Sequence, residues 1–213
     1  MSEPVTAAKC GALLDALRVK KPLVHFITNY VTVNDCANIT LAVGGAPVMS
    51  DQPDDAAEIC RLASALVFNI GTPGDRTLEA MLRAGKAANE AGIPVVLDPV
   101  GAGASSFRNR LLEKILEEVK FAAVKGNISE IRFLASGTGK SMGVDASKDD
   151  IALGSDSSAV ARLAAGLSRG IGAVVIVSGR IDVAADGERA YGISNGDAMM
   201  GRLTGTGCCL LYT

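Results

Sequence analysis

The segment Leu203-Thr204-Gly205-Thr206-Gly207-Cys208 has the residue types best suited to hold a phosphate group. Glycines permit unusual backbone angles and close approach to a ligand, and these two precede an expected helix start. Free amides at such a start, here those of Gly205, Thr206 and Gly207, bind phosphate and stabilise charge on a phosphoryl group in transfer. A short Gly/Thr run is also typical of an ordinary turn, so the rest of the sequence must decide.

The segment Lys125-Gly126-Asn127-Ile128-Ser129-Glu130 follows a predicted strand and contains a second candidate site. Asn127 and Glu130 are three positions apart at an expected helix start, so their side chains face the same way. A carboxylate and an amide there can hold Mg²⁺ through water, and the cation can bridge nucleotide phosphates. The same residues suit a helix cap, with Ser129 or Asn127 as the N-cap, and the two interpretations are compatible.

Polar or glycine-rich clusters follow several other predicted strands. Asp98 adds a second carboxylate before the flexible segment 99–103, although an aspartate at a strand end is also common in plain turns. The remaining clusters are Thr28-Asn29, Asn69-Ile70-Gly71-Thr72 and Ser178-Gly179. Because ligands bind at the carboxyl ends of strands in open parallel sheets, the sequence predicts one crevice lined by these clusters.

Runs of branched apolar residues alternate with helical patterns along the chain. The runs predict buried strands at 23–28, 47–50, 65–70, 94–98, 121–125 and 173–178. Apolar positions at three- and four-residue spacing predict helices at 54–63, 77–91, 108–120 and 157–169. This alternation predicts an α/β fold with a mostly parallel central sheet and helices on both faces. Residues 181–194 indicate an edge hairpin, and the Gly/Ser/Asp-rich segment 136–155 indicates a surface loop.

The composition indicates one compact domain with a substantial core. Of the 213 residues, 48% are hydrophobic and 21% are charged. Lys and Arg number 21 against 23 Asp and Glu, so the net charge of -2 creates no basic field for nucleic acid or an anionic membrane. The sequence has neither a leader pattern nor an apolar run of the roughly 18 to 20 residues that a spanning helix needs. We therefore expect a cytoplasmic protein whose partners are small molecules or copies of itself.

The cysteines and the histidine limit the available chemistry. The five cysteines show no CxxC spacing or disulfide framework and are predicted to be reduced. His25 is the only histidine, which excludes a multi-histidine metal site, and we expect it to be packed or hydrogen-bonded in a structural role. Catalysis must then use carboxylates, thiols, backbone amides or a bound cation.

Seven segments, taken in order, resemble the hydroxyethylthiazole kinase family of thiamine salvage. They are 22–29 (PLVHFITN), 45–50 (GAPVMS), 69–72 (NIGT), 98–103 (DPVGAG), 126–131 (GNISEI), 143–145 (GVD) and 204–208 (TGTGC). The match runs from about Lys20 to Cys209, and the order of the segments is more specific than any one of them. The resemblance implies a ribokinase-like fold and ATP-dependent phosphorylation of the primary hydroxyl of 4-methyl-5-(2-hydroxyethyl)thiazole.

The resemblance also implies positions for both substrates. Met49 would pack against the thiazole, as suits a thioether beside a flat, sulfur-containing ring, although by type alone it would be a core residue. Thr28 and Asn29 would lie nearby, with the backbone of Gly205 close to the reacting hydroxyl. The implied ATP contacts are Lys125, Asn127 and Ser178.

Two of the implied ATP contacts depart from the family pattern. Lys125 and Ser178 stand where the family usually has Arg and Thr. Lysine keeps the positive charge but loses the planar fork, so nucleotide affinity could fall. Asp98 and Glu130 match positions expected to organise Mg²⁺, directly or through water.

By the same resemblance, Cys208 stands where sugar kinases of the superfamily have an aspartate base. A thiol at a helix N-terminus is expected to have a lowered pKa and could accept the proton of the alcohol. Phosphoryl transfer through a loose transition state does not require a strong base. The alternative is a small buried residue at a tight turn. Cys209 is expected to point into the core.

The family forms trimers with the thiazole site between neighbouring subunits, so a homotrimer is expected. The family also continues with helices that close the nucleotide side, so residues 1–213 are expected to form a single kinase domain without them, with impaired activity. One alternative is a non-catalytic thiazole- or nucleotide-binding remnant. Another is the related ATP-dependent dehydratase that repairs hydrated nicotinamide nucleotides, against which Cys208 and the Met49 segment argue.

Overall fold

The computed structural model describes residues 6–136 and 156–209. The strands are β1 Leu23–Ile27, β2 Ala46–Met49, β3 Ala65–Asn69, β4 Val95–Asp98, β5 Ala123–Asn127, β6 Val174–Ser178, β7 Asp182–Ala185 and β8 Ala190–Ile193. The α-helices are α1 Ala7–Lys20, α2 Val33–Val43, α3 Pro53–Cys60, α4 Asp75–Ala91, α5 Ser106–Glu118, α6 Ile128–Ala135, α7 Ser157–Ile171 and α8 Thr206–Cys209. A 3₁₀ turn covers Ala198–Arg202. The segment 143–145 and most of the predicted loop 136–155 lie outside the described residues.

All eight strands form one sheet in the order β2-β1-β3-β4-β5-β6-β7-β8. Strands β1 to β6 are parallel, whereas β7 pairs antiparallel with both β6 and β8. The mostly parallel sheet, the edge hairpin and the six predicted strands are therefore confirmed. The alternation of long apolar strands with single helices determines this result, because each crossover returns the chain parallel to the previous strand.

The two faces of the sheet are covered unequally. The larger core lies between one face and helices α3 to α7, with Leu66, Phe68 and Leu97 fully buried in it. The opposite face packs against α2 through a smaller cluster, which contains Phe26 and Val67. Because successive strand residues point to opposite faces, Val67 enters the small cluster while its neighbours enter the large one. The prediction of helices on both faces is confirmed.

The strand order places a crevice between β1 and β3. The chain moves to one side of β1 for β2 and to the other side for β3, and ligands bind at such a reversal, beyond the carboxyl ends of the strands. Asn29 follows β1, and Asn69 ends β3, where it is in register with Asp98 at the end of β4. The fold therefore brings together polar residues that are distant in sequence.

Helix α1 lies at the surface of the domain. Helix α1 has no buried residue, which explains why its sequence shows no one-sided apolar pattern. Within residues 6–136 and 156–209, no helix is long and apolar enough to cross a membrane.

Candidate active site

Asn69 is the centre of a hydrogen-bond network at the sheet reversal. Its Nδ2 donates to Asp98 Oδ2 at 2.7 Å and to Cys208 Sγ at 3.1 Å. Its Oδ1 accepts from Asn29 Nδ2 and from the Gly71 amide, both at 2.9 Å. The side chain is 1% exposed. One buried amide therefore joins the ends of three elements, β1, β3 and β4, to helix α8.

Asn29 holds the entry to helix α2 and also faces the thiol. Its Oδ1 accepts from the amides of Val31 and Thr32, at 3.1 and 3.0 Å, and from Thr32 Oγ1 at 3.1 Å. These donors fix Oδ1 as the acceptor, so Nδ2 must point the other way. There it donates to Asn69 and, at 3.5 Å, to Cys208 Sγ. The predicted substrate-binding residue Asn29 is thus locked in one orientation beside Cys208.

Cys208 is half-buried, and its thiol lies between amide donors and a carboxylate. Burial, followed by the negative charge of Asp98, raises the pKa of the thiol, and this outweighs the hydrogen bonds from Asn69, Thr32 and Asn29. The expectation of a lowered pKa at a helix N-terminus is therefore wrong. Helix α8 has only four residues, and desolvation beside a carboxylate dominates. The thiol is neutral at neutral pH.

Asp98 is buried, with 5% of its surface exposed. Burial, together with the nearby charge of Glu130, raises its pKa to about 7, against the lowering effects of Lys125 and of hydrogen bonds from Cys208 and Asn69. The Cys208 S–H therefore donates to a carboxylate that can exchange a proton near neutral pH. Burial of a carboxylate in a cleft is also a common mark of functional sites.

Glu130 is held by backbone amides at the start of α6. Its Oε2 accepts from the Asn127 amide at 2.8 Å, and Asn127 Oδ1 accepts from the Glu130 amide at 3.0 Å. This capping box confirms Asn127 as the N-cap. The Gly101 amide donates to Glu130 Oε1 at 2.9 Å, which connects α6 to the loop after β4. Each carboxylate oxygen keeps a further lone pair, so the cap and a water-mediated cation contact are compatible.

Asp98 and Glu130 suit Mg²⁺ by their chemistry. Magnesium is commonly bound through one or two carboxylates, with water and substrate phosphates completing its coordination. In the part of the chain that the structure describes, no three His, Cys, Asp or Glu side chains cluster as a metal site. Cation binding by the pair would therefore depend on water and nucleotide oxygens.

Lys125 connects β5 to the predicted phosphate-binding segment. It is 8% exposed, and its Nζ donates to the Gly207 carbonyl at 2.8 Å. Ser178 Oγ donates to the Gly126 carbonyl at 3.3 Å, at the matching end of β6. Two predicted ATP contacts, Lys125 and Ser178, thus lie at the carboxyl edge of adjacent strands. The ammonium of Lys125 has two further donors for a phosphate.

Gly205 needs a backbone conformation that other residues rarely adopt. Its φ is +90°, and a Cβ atom would lie 2.9 Å from Thr32 Cγ2. The Gly205 carbonyl accepts from the Cys209 amide at 2.7 Å, and Thr206 Oγ1 donates to the Met200 carbonyl at 3.1 Å. These contacts shape the turn into α8, whose first amides have no partner within the helix.

Met49 and Cys208 both pack against the small cluster beside α2. Met49 is half-buried there at the end of β2, with Phe26 and Val67 beneath it. Cys209 lies in the same cluster and is also half-buried, so it is less enclosed than predicted. Thr28 is half-buried at the end of β1. Of the predicted substrate residues, Asn29 contacts the thiol, and Met49 packs against the same cluster as Cys208.

A groove of about 400 Å³ also borders α8. It is lined by Asp35, Asn38, Ile39, Ala42, Met200, Thr206 and Cys209. Of these residues, only Thr206 was among the predicted site residues. The groove adjoins the network around Asn69 through α8 but does not include Asn69 or Asp98.

Comparison with known proteins assigns the family. The model of the hydroxyethylthiazole kinase family matches residues 14–212. The chain belongs to this family. It is 50% identical to hydroxyethylthiazole kinase of Clostridium beijerinckii over 200 residues, which cover 94% of this chain and 72% of the relative. The hydroxyethylthiazole kinase of Ruminiclostridium cellulolyticum is 52% identical over 196 residues, covering 92% and 70%.

Solved structures agree with this membership of the kinase family. Hydroxyethylthiazole kinase protein from Pyrococcus horikoshii OT3 is 38% identical, with a TM-score of 0.81 over 93% of this chain and 71% of that one. Adenosine kinase from Schistosoma mansoni is 13% identical, with a TM-score of 0.50 over 94% and 68%. The second likeness concerns the fold alone, and together they confirm a ribokinase-like fold.

The roles of two central residues of this site, Asn69 and Arg108, were not predicted from the sequence. Asn69 stood in a recognised strand-end cluster, yet nothing in its type distinguished it from Thr28 or Thr72. Arg108 lies in the first turn of α5, and its guanidinium donates to the carbonyls of Ile70, Gly71 and Val100. An arginine in a helical pattern gives no signal of such a role. Both residues act through hydrogen bonds between distant segments.

Proposed function

We propose that this chain transfers a phosphoryl group from ATP to the hydroxyl of 4-methyl-5-(2-hydroxyethyl)thiazole, in thiamine biosynthesis or salvage. The observation that carries the proposal is the identity of 50% and 52% to two proteins named hydroxyethylthiazole kinase, over more than nine-tenths of the chain. The thiol–amide–carboxylate network of Cys208, Asn69 and Asp98 supports it. It provides an anchored acceptor for a proton at the edge where ligands bind.

The thiazole is proposed to bind against Met49, between the ends of β1 and β2. The thioether of Met49 and the thiol of Cys208 share one apolar cluster, which suits a flat ring that contains sulfur. Thr28 and Asn29 would border the ring, and the backbone of Gly205 would lie close to the reacting hydroxyl. The side chain of Asn29 supports this placement, because hydrogen bonds from Val31 and Thr32 hold it in one orientation.

ATP is proposed to bind along the carboxyl edge of β5 and β6. Asn127 and Ser178 are register partners there, and Lys125 lies two residues before Asn127 on β5. The amides of Gly205, Thr206 and Gly207 would form the anion hole for the transferred phosphoryl group. The bond from Lys125 to the Gly207 carbonyl supports this arrangement, because it brings a positive charge to that turn.

Asp98 and Glu130 are the residues that would hold Mg²⁺, and Asp98 would do so through water, so that its carboxylate can also accept a proton. The bound cation would supply positive charge that offsets the negative charge of the nucleotide phosphates. Glu130 is held by two backbone amides, and Asp98 by Asn69, so neither carboxylate must reorganise to receive it.

Cys208 is proposed to take the proton of the substrate hydroxyl. As the new phosphate ester bond forms, the bond between the γ-phosphorus and the oxygen that leaves on ADP breaks, the hydroxyl proton passes to Sγ, and the thiol proton passes to Asp98. The raised pKa of Cys208 and the pKa of about 7 of Asp98 favour this direction of transfer over a stable thiolate. A loose transition state asks little of the base, so positioning remains the main requirement.

A homotrimer in the cytoplasm, with the thiazole site between subunits, completes the proposal. The exposure of Tyr30 and Val31, directly after Asn29, supports an interface beside the site, since they are 79% and 59% exposed. Light scattering at micromolar concentration would test this, and a monomeric mass would contradict it. We also propose that the chain is one kinase domain.

The activity is tested by incubating the chain with ATP, Mg²⁺ and the thiazole alcohol. We expect ADP and the thiazole phosphate in equal amounts, measured by mass spectrometry and ³¹P NMR. Ligand-induced thermal stabilisation without any product would instead identify a binding remnant and would refute the proposed activity. ADP formation without the thiazole phosphate would exclude this substrate.

A further inference from the structure

Arg108 bridges the two loops that follow β3 and β4. Its Nη1 donates to the Ile70 carbonyl at 2.6 Å and to the Val100 carbonyl at 3.0 Å, and its Nη2 donates to the Gly71 carbonyl at 3.0 Å. The side chain is half-buried in the first turn of α5. The planar guanidinium suits this task, because it presents several donors in a fixed fork.

Helix α5 holds Arg108 in place. The Ser105 side chain caps this helix by accepting from the Arg108 amide at 3.2 Å, so the backbone of Arg108 is fixed at the first turn. The side chain also fits closely against Gly101, where an added Cβ would lie 3.3 Å from Arg108 Cδ. Gly101 has a φ of +73°, which favours glycine. The loop after β4 is thus shaped around the arginine.

The two bridged loops carry the site carboxylates. Asp98 lies two residues before Val100, and Asn69, which donates to Asp98, lies directly before Ile70. The next residue after Val100, Gly101, donates its amide to Glu130 Oε1. A change in the separation of the loops would therefore move Asp98 relative to Glu130.

We propose that Arg108 is a positioning residue that sets the separation of the Asp98 and Glu130 carboxylates and so determines the affinity for the metal–nucleotide complex. This inference rests on the proposed function in that it takes the two carboxylates as the cation site. Arg108 itself touches neither carboxylate, and it acts through the backbone of the two loops.

The direct test measures binding of ATP to Arg108→Ala with Mn²⁺ present and with EDTA present. Loss of a residue that orients metal ligands commonly weakens metal binding by about tenfold or more. We expect the dissociation constant for Mn²⁺·ATP, measured by calorimetry, to rise about tenfold, while that for metal-free ATP stays within about twofold. Arg110→Ala, an exposed arginine on the same helix, is the control and should change neither value.

A second measurement separates positioning from loss of folding. Free guanidinium at millimolar concentration, far below denaturing levels, should restore Mn²⁺·ATP binding to Arg108→Ala but not change the parent protein. Arg108→Lys should recover only part of the affinity, since an ammonium lacks the planar fork. Thermal unfolding of each variant shows whether it is folded.

The outcomes distinguish this inference from the proposed function. Equal weakening of ATP binding with Mn²⁺ and with EDTA, or unchanged binding in Arg108→Ala, would overturn the positioning role alone. Metal-dependent weakening in Arg108→Ala, together with a parent protein that forms no thiazole phosphate, would uphold the positioning role and refute the activity. A parent protein that binds no Mn²⁺·ATP would overturn both.

Discussion

Replacement of Asn69 by alanine is the most informative single perturbation of the site. The change removes hydrogen bonds to Asn29 and Gly71, worth about 1 kcal/mol each, and a charge-assisted bond to Asp98, worth about 2 kcal/mol. Because water can enter the vacated space, we expect a net loss of about 3 kcal/mol in the free energy of unfolding rather than the full sum. The thiol of Cys208 loses its 3.1 Å donor as well.

The assay is urea unfolding followed by circular dichroism at pH 7.5, combined with turnover measurements. Asn89→Ala is the matched control, since the Asn89 side chain also makes two hydrogen bonds to backbone, at Lys120, but lies near the end of α4, which leads into the start of β4, away from the carboxyl ends of the strands. Asn89→Ala should lower the free energy of unfolding by about 1 kcal/mol and leave the turnover rate unchanged. A loss in Asn69→Ala no larger than that in Asn89→Ala, or unchanged turnover, would refute the central role of Asn69.

Three further perturbations have defined outcomes. Cys208→Ala should lower kcat about a hundredfold with unchanged ATP affinity, because it removes a proton acceptor, whereas Cys209→Ala should not. Gly205→Ala should lower the free energy of unfolding by about 1 to 2 kcal/mol, because φ is +90° and the new Cβ would clash with Thr32 Cγ2. Thr32→Ser removes that methyl group and should restore part of the lost stability. The pKa of buried His25 is lowered by desolvation, so the contribution of His25 to stability should fall as the pH falls below about 6.5, with a slope of at most about 1.4 kcal/mol per pH unit, while the raised pKa of Asp98 acts in the opposite direction.

Each of these outcomes has a measurement that could contradict it. Equal kcat in Cys208→Ala and the parent would exclude a role for the thiol in proton transfer. If urea unfolding shows that Thr32→Ser does not reduce the loss of stability caused by Gly205→Ala, the steric explanation is excluded. His25 is neutral in the folded protein, so its full contribution to stability is present above the pKa of the unfolded state. That contribution falls at lower pH, because the unfolded state then binds a proton. The stability advantage of the parent over His25→Gln should therefore shrink between pH 7 and pH 5, and a difference that does not change with pH would contradict this prediction.

The environment of His25 shows why the neutral form is favoured. The ring is fully buried, and its Nε2 donates to the Ser50 carbonyl at 3.0 Å, as expected for a structural histidine. Nδ1 has no hydrogen-bond partner among the described residues. A proton added at Nδ1 would therefore be buried without an acceptor.

The strands and their mostly parallel arrangement follow from patterns that a sequence contains. Runs such as 65–70 and 94–98 are apolar and branched, and single helices separate them, so a parallel sheet with its ligand edge follows. Asn127 was also predictable as a helix cap, because a capping box uses residues only three apart. Local spacing is enough for such features.

The chemistry of the site depended on contacts that local spacing does not reveal. The pKa of Cys208 was predicted in the wrong direction because its two raising causes, burial first and then the charge of Asp98, which lies 110 positions away, arise only in the folded chain. Asn69 and Arg108 were missed for the same reason, since their partners belong to other strand ends. Desolvation and charge at a site are properties of the assembled fold.

The anchoring of helix α8 has a consequence for how the protein folds. This four-residue helix is too short to be stable alone, and it is held by Asn29, Asn69 and Lys125 from three strand ends. Its contact with Asn29 spans 179 positions, so the loop that it closes is among the largest available to the chain. The thiol of Cys208 should therefore become protected from alkylating reagents only in the last kinetic phase of refolding, after the sheet has acquired its register.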